Sequence, residues 1–527
     1  MRCGGGSTGS PGPTENPPPP TSTGIDVVTY HNDNARTGQN PSETTLTLAN
    51  VTSSAFGKLF FVSVDGKVDA QPLVLSGLSI PGNGTHNVLY IATEHDSVYA
   101  VDADTGTPLW QVSMLGTGET TSDNRGCGQV SPEIGVTSTP VIDRGAGAHG
   151  TVYVVAMSKS GANTYFQRLH ALDAATGAEE FGGPHTIQAT YPGTGDNSSA
   201  GSVIFDPKQY KERAGLLLLN GVLYTTWASH CDFRPYTDWI MSFDPSTLAP
   251  ISVLNVTPNG NEGSNWASGA GPAADSAGNI YFLNANGTFD STLNTAGFPS
   301  QGDFGNAFLK LSTTNRQLAV ADYFEMFNQA QENGADIDLG SGGAMVLPDL
   351  TDGSGHVRHL ALGAGKDTNI YVVDRDNMGK FSSGSNNVYQ QLAGALPGGI
   401  WSTSAYSNGT VYFGPVGGSI KAFSIANALL SAAPVGQTGN VFSYPGATPS
   451  ISSHGASNAI LWAAENGSVA ALHAYDATNL SHELYNSDQA GVRDQFGAGN
   501  KFITPTIVNG KVYVGTTNGV AVFGLLH

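Results

Sequence analysis

Apolar and aromatic positions alternate with polar ones in short runs along this chain, and each run is cut off by Asp, Asn or Gly. That period-2 pattern predicts half-buried strands joined by tight turns. One such passage recurs. Ser97-Val98-Tyr99-Ala100-Val101-Asp102-Ala103-Asp104-Thr105-Gly106, ending in Leu109-Trp110, returns as Leu169-His170-Ala171-Leu172-Asp173-Ala174-Ala175-Thr176-Gly177 and as Ile240-Met241-Ser242-Phe243-Asp244-Pro245-Ser246-Thr247. Asp102, Asp173 and Asp244 stand in 71-residue steps, so one supersecondary unit is repeated. Each unit reads as two or three strands, an Asp-x-x-Thr-Gly turn in which Asp accepts backbone N–H groups and Gly takes positive φ, and a further strand with an outward hydrophobe such as Trp110 or Phe181.

Fainter copies follow around Leu309, Val373, Phe423, Tyr475 and Phe523, which brings the count to eight. No stretch shows long helical periodicity, and none is apolar enough to span a membrane. The fold expected is all-β: an eight-bladed β-propeller of four-stranded antiparallel blades, with seven blades and a decorated insert as the alternative. The last unit stops one strand short. Lys58-Leu59-Phe60-Phe61-Val62-Ser63-Val64 is the expected missing strand, closing the ring in the last blade.

Residues 1–24, rich in Gly, Ser, Thr and Pro, cannot bury a core and read as a linker; residues 25–527 read as a single domain, since a propeller is one domain whatever its blade number. A formal net charge of −20 repels nucleic acid and anionic membranes and would attract a basic partner such as a small electron-transfer protein. Cys127 and Cys231 either pair in an oxidising compartment or stay as buried thiols. Cys3-Gly4-Gly5-Gly6-Ser7 resembles the mature start of a bacterial lipoprotein, which would place the protein in the periplasm or on the cell surface with a lipid on Cys3; a remnant of an artificial N-terminus is the other reading. His-Glu-x-x-His, Gly-x-Ser-x-Gly, the phosphate-binding Gly-x-x-x-x-Gly-Lys and Cys-x-x-Cys-His are all missing.

The Asp-Ala-x-Thr-Gly-x-x-x-Trp repeat resembles the blade motif of the pyrroloquinoline quinone (PQQ) propellers, the quinoprotein alcohol dehydrogenases and their relatives, over roughly residues 57–527. Outer-membrane-assembly scaffold lipoproteins carry a similar motif without cofactor. The resemblance implies a site residue by residue. Asp69, before Gln71-Pro72-Leu73, matches an acidic residue that contacts the quinone. Arg125 in Asn124-Arg125-Gly126 matches an arginine for a cofactor carboxylate, and Thr137 and Ser160 match small hydroxyls at its edge. Trp266 resembles the tryptophan on which the quinone stacks. Asn286, Asp338 and the position of Asn163 match the ligands of a Ca²⁺ ion. Asp338, in Asp336-Ile337-Asp338, resembles the catalytic base, and Lys366, 28 residues on in Gly365-Lys366-Asp367, the cation that contacts the reactive quinone oxygen. The activity so implied is oxidation of an alcohol or sugar hydroxyl by hydride transfer to PQQ, with electrons passed to an external acceptor.

The chain departs from that pattern. Asn163 stands where the family has a glutamate ligand, which removes charge from a site for a hard cation. The vicinal disulfide is missing, Ile400-Trp401 replaces Asn-Trp, and Gly340 occupies the place of the aspartate of the lanthanide-using branch. Structural roles are also open: Trp266 as blade packing, Asp338 as a turn cap, Lys366 as a solvated residue, Asn286-Gly287 as a hairpin turn. A non-catalytic envelope propeller that scaffolds proteins or binds a ligand is the reading from another class. Three further segments are singled out. His31–Arg36 is expected to pack as an N-terminal arm across the propeller, and Glu94-His95-Asp96 to form a turn. Ser229–Tyr236 either lines the channel mouth or holds Asp232 and Arg234 as a structural pair.

Overall fold

The computed structural model describes residue 1 and residues 24–526; Cys3 and most of the Gly/Ser/Pro-rich segment lie outside the described residues. Strands pair in antiparallel meanders. Leu73–Ile80, Gly84–Ala92, Ser97–Asp102 and Pro108–Ser113 make the first sheet, each strand bonded to the next. Among the described residues, eight sheets of four or more strands follow one another, with two smaller sheets beside them. In the last, Thr506–Val508, Lys511–Gly515 and Gly519–Leu525 take their outer partner from the other end of the chain: Phe56–Ser63 pairs antiparallel with Gly519–Leu525.

The repeated turn explains how neighbouring sheets dock. Asp102 Oδ1 accepts the Asp104 and Thr105 amides at 2.9 and 2.7 Å, and Asp173 Oδ1 accepts those of Ala175 and Thr176 at 3.0 and 2.9 Å. The glycines that follow take φ of +76° and +71°, which L side chains rarely adopt. They also leave room for an aromatic. A Cβ on Gly177 would meet the Trp110 ring at 2.7 Å, and one on Gly106 the Phe60 ring at 2.9 Å. Trp110 is therefore no outward residue: half-buried, it lies on the next sheet's turn and donates Nε1–H to Ala174 O at 3.1 Å. Phe60, from the strand completing the last sheet, packs in the same way on the Gly106 turn of the first, without a hydrogen bond. One apolar cluster accordingly runs through the last, first and second sheets, with Val508, Tyr513 and Val522 beside Leu89, Val101, Val152 and Val154. Phe56, fully buried, packs on Trp462, Tyr485 and Phe523.

The N-terminal arm bonds to one strand of every one of these eight sheets, in order. Val27 exchanges backbone bonds with Val74 at 2.9 Å, and Val28 O accepts Ile142 N at 2.8 Å. Asn34 Nδ2 donates to Leu218 O, and Asn34 O accepts Ala274 N. Ala35, Thr37 and Gly38 carbonyls accept the amides of Val346, Tyr406 and Ile451, and Asn40 Nδ2 donates to Ile507 O at 3.0 Å. Arg36, fully buried, donates to the carbonyls of Tyr30, Asp33, Leu216 and Pro272.

Candidate functional site

Segments that enter the strands bonded by the arm converge on a cavity of about 260 Å³. Arg213 and Trp401 each precede such a strand by four residues, Trp266 and Asp338 by seven. All four line the cavity, joined by Asn286 and Lys366 from the connections after second strands. The arm lies beneath: the Tyr30 hydroxyl meets Thr403 at 3.3 Å and Thr504 at 3.4 Å, two residues past Trp401 and Phe502.

At the centre is Asp338, its side chain 3% exposed. It precedes the 3₁₀ turn Leu339–Ser341 without capping it through its side chain. Instead Oδ1 pairs with Lys366 Nζ at 2.5 Å and Oδ2 accepts Trp266 Nε1–H at 3.0 Å. Lys366 also reaches Asp336 Oδ1 at 2.8 Å, which accepts Asn286 Nδ2–H at 2.8 Å. Burial pushes the Asp338 carboxyl above its ordinary range against the pull of Lys366 and Trp266. For Lys366 burial acts the other way, yet Asp338 and Asp336 outweigh it and hold the ammonium above its usual value. The packing, capping, solvated and hairpin roles open to these four residues are thus not the ones adopted: Trp266, Asn286, Asp338 and Lys366 share one hydrogen-bonded cluster. Trp401, Tyr444, Phe502 and Trp266 follow one another edge to face, with centroids 5.8 to 6.5 Å apart.

The other expected residues are placed differently. Asp69 and Thr137 sit in an adjoining buried cluster: Thr137 donates to Glu94 Oε2 at 3.0 Å, and Asp69 accepts from Asn500 Nδ2, with Lys67 at 3.6 Å. Burial raises Asp69, but Lys67, Glu94 and Arg213 outweigh it and keep it low. Burial and then Asp69 push the Glu94 carboxyl well above its ordinary range. Glu94 therefore does more than form a turn. Arg125, half-buried over the Tyr165 ring, leaves Nε and Nη2 without partners and does not line the cavity.

Ser160 and Asn163 lie away from the cavity, at the exposed tip of the hairpin Thr151–Ser160/Thr164–Asp173. Each of its strands has ten residues, whereas the second strands before Asn286 and Lys366 have four; the added length carries the tip past the site. Cys127 and Cys231 form a disulfide, with Cα atoms 6.3 Å apart, and Cys231 lines the cavity. The loop Ser229–Tyr236 contributes Ser229, Cys231, Asp232 and Tyr236 to the wall. Arg234 does not pair with Asp232; it binds Asp196, at 2.7 and 2.8 Å.

These donors do not suit calcium, which takes six to eight oxygens. Both Asp338 oxygens are engaged, Asn163 is remote, and the oxygen left free is Asn286 Oδ1, buried without a partner. Among the described residues no three acidic, His or Cys side chains gather as a metal cage. A planar aromatic polyanion fits better: aromatic rings line the cavity, Lys366 borders it, and Arg213 Nε is buried without an acceptor.

Lys211 and Arg213 carry one signal in the sequence: Lys211-Glu212-Arg213 is a charged triplet in a chain only 12% charged.

Residues 77–184 match the family model described as outer membrane protein assembly factor BamB. No curated protein matches the chain. Among solved structures it is similar to the quinohemoprotein alcohol dehydrogenase of Comamonas testosteroni (14% identity, TM-score 0.63) and to quinohemoprotein alcohol dehydrogenase ADHIIG of Pseudomonas putida HK5 (14%, 0.61), covering 95% of this chain and 80% of each of those. It is also similar to a europium-containing methanol dehydrogenase (13%, 0.56; 95% of this chain and 98% of that one). At such identities the likeness is one of fold.

Proposed function

We propose that this PQQ-like propeller protein, closed as eight blades within the single domain 25–527, is a quinoprotein-type dehydrogenase that oxidises the hydroxyl of a small alcohol or sugar. The observation that carries the reading is the buried Asp338 carboxylate, held between Lys366 and Trp266 on an aromatic, cation-bearing cavity. Trp266, Lys366 and Arg213 would hold PQQ. When bound, the quinone supplies a two-electron acceptor for hydride from the carbinol carbon. Asp338 takes the hydroxyl proton at Oδ1 or Oδ2. Its raised proton affinity makes it the stronger base, while Lys366 favours its ionised form and Trp266 fixes its orientation. The Cys127–Cys231 disulfide supports an oxidising, exported compartment, periplasmic or cell-surface, with a lipid on Cys3 as the proposed anchor. The net charge of −20 favours a basic electron-transfer protein as acceptor.

The BamB model match favours a second reading, a non-catalytic envelope scaffold. Dye-linked oxidation of a panel of alcohols and aldoses, measured after mixing the protein with PQQ with and without Ca²⁺, separates the two. Turnover that falls about a hundredfold or more in Asp338→Asn supports the dehydrogenase. Quinone absorbance lost on desalting, with no turnover on any alcohol, overturns it in favour of the scaffold.

A further inference from the structure

The wall of the same cavity carries two buried cations that no carboxylate touches among the described residues; the acidic group that acts most on Arg213 is Asp69, which already pairs with Lys67 at 3.6 Å. Lys211 and Arg213 are two residues apart at the end of the strand Tyr210–Glu212, so their side chains share a face, while Glu212 between them turns away and accepts the Thr226 amide at 3.2 Å. Lys211 is 4% and Arg213 5% exposed, and both line the cavity. Among the described residues neither has a carboxylate oxygen within 4.0 Å. Arg213 lies over the Phe502 ring, 4.7 Å from its centroid, and that ring meets Trp266; its Nε is buried without an acceptor.

The surroundings of Lys211 deepen the imbalance. Arg213 and Arg125 both act on it, and His230 stands in the same group, pushed down to about 4 by burial, Lys211 and Arg125. The acidic groups that act on it are Glu94 and Asp232, and neither has a carboxylate oxygen within 4.0 Å of it. Burial, then Arg213, lowers the Lys211 ammonium to about 7. Buried ions without a counter-ion are costly, and an anion entering the cavity would offset that cost.

We infer that Lys211 and Arg213 form a carboxylate-binding subsite, and that the ligand held against Trp266 is an aromatic polycarboxylate whose charge is met by these two cations and Lys366 rather than by a metal ion. The inference rests on the proposed function only in taking PQQ as that polycarboxylate.

The test is equilibrium binding, read by quenching of tryptophan fluorescence and by calorimetry. PQQ and benzene-1,3,5-tricarboxylate are titrated into the whole protein, each in EDTA and in excess Ca²⁺. Both are expected to bind in EDTA, with Kd changed less than about threefold by Ca²⁺ and raised about tenfold or more in Lys211→Met and in Arg213→Met. Without ligand, both variants are expected to melt at or above the wild-type temperature, since each loses an uncompensated charge. A requirement for Ca²⁺, wild-type affinity in the double variant, a lowered melting temperature in both variants, or failure of both probes would each overturn the subsite. If benzene-1,3,5-tricarboxylate binds and PQQ does not, the dehydrogenase reading falls and the subsite stands.

Discussion

Trp266 donates its indole N–H to Asp338 across 72 residues of chain, and the bond of 3.0 Å ties the aromatic wall of the cavity to its buried carboxylate. Trp266→Phe keeps the ring and removes the donor. A lost hydrogen bond to a charged group is worth about 1.5–3 kcal/mol, so kcat/KM should fall roughly tenfold or more. The acidic limb of the pH–rate profile should move to higher pH, because the indole N–H lowers the Asp338 pKa. An unmoved limb would show that Trp266 only packs.

Lys366 pairs with both Asp338 and Asp336. Lys366→Met leaves Asp338 buried beside no cation, and breaking such a pair costs about 3–5 kcal/mol. Asp338 already has a raised pKa in the fold, and without Lys366 it rises further. A raised carboxyl is harmless below its unfolded pKa and costs stability as pH climbs. Urea unfolding of the variant should therefore show a deficit that grows from pH 5 to pH 8; a deficit independent of pH would contradict the pairing.

Glu119 is held down to about 2, first by its hydrogen bonds to Arg168 and then by those from Ser158 and the Gly116 amide. A depressed carboxyl contributes stability above its unfolded pKa and loses it as pH falls through the folded one. The difference in unfolding free energy between wild type and Glu119→Gln should be full above about pH 5 and shrink toward pH 2.

The Cys127–Cys231 bond closes a loop of 104 residues. The double serine variant, or the wild type under reductant, should lose about 2–5 kcal/mol in denaturant unfolding.

Much of the fold is legible because the Asp-x-x-Thr-Gly turn is local chemistry: Asp102 and Asp173 cap their own turns, and the sequence carries that directly. What Trp110 does is not local. Its partner is a glycine 67 residues on, and nothing in its own strand tells outward exposure from docking. In the site, the step from Asp338 to Lys366 is legible through resemblance. Ser160 and Asn163 mislead because a motif match carries no strand length, and two ten-residue strands move a hairpin tip away. Lys211 and Arg213 stay hidden because a charged triplet at a strand end usually faces water; burial comes from sheets that precede and follow it. Arg234 prefers Asp196 to the nearer Asp232 in sequence, a choice set by loop packing.

The arm from Val27 to Asn40 bears on how the molecule is made. Its bonding partners run from Val74 to Ile507, so a segment that leaves the ribosome ahead of all eight sheets is fully bonded only when the last of them is made. Contacts of such sequence separation make folding slow, and the later residues of the arm keep unpaired backbone groups until the last sheets form, a state open to aggregation. The arm also meets the sheets one after another at fixed positions. Deleting or duplicating one sheet would put every later contact out of step, so the sheet number is written into a segment that belongs to none of the repeats.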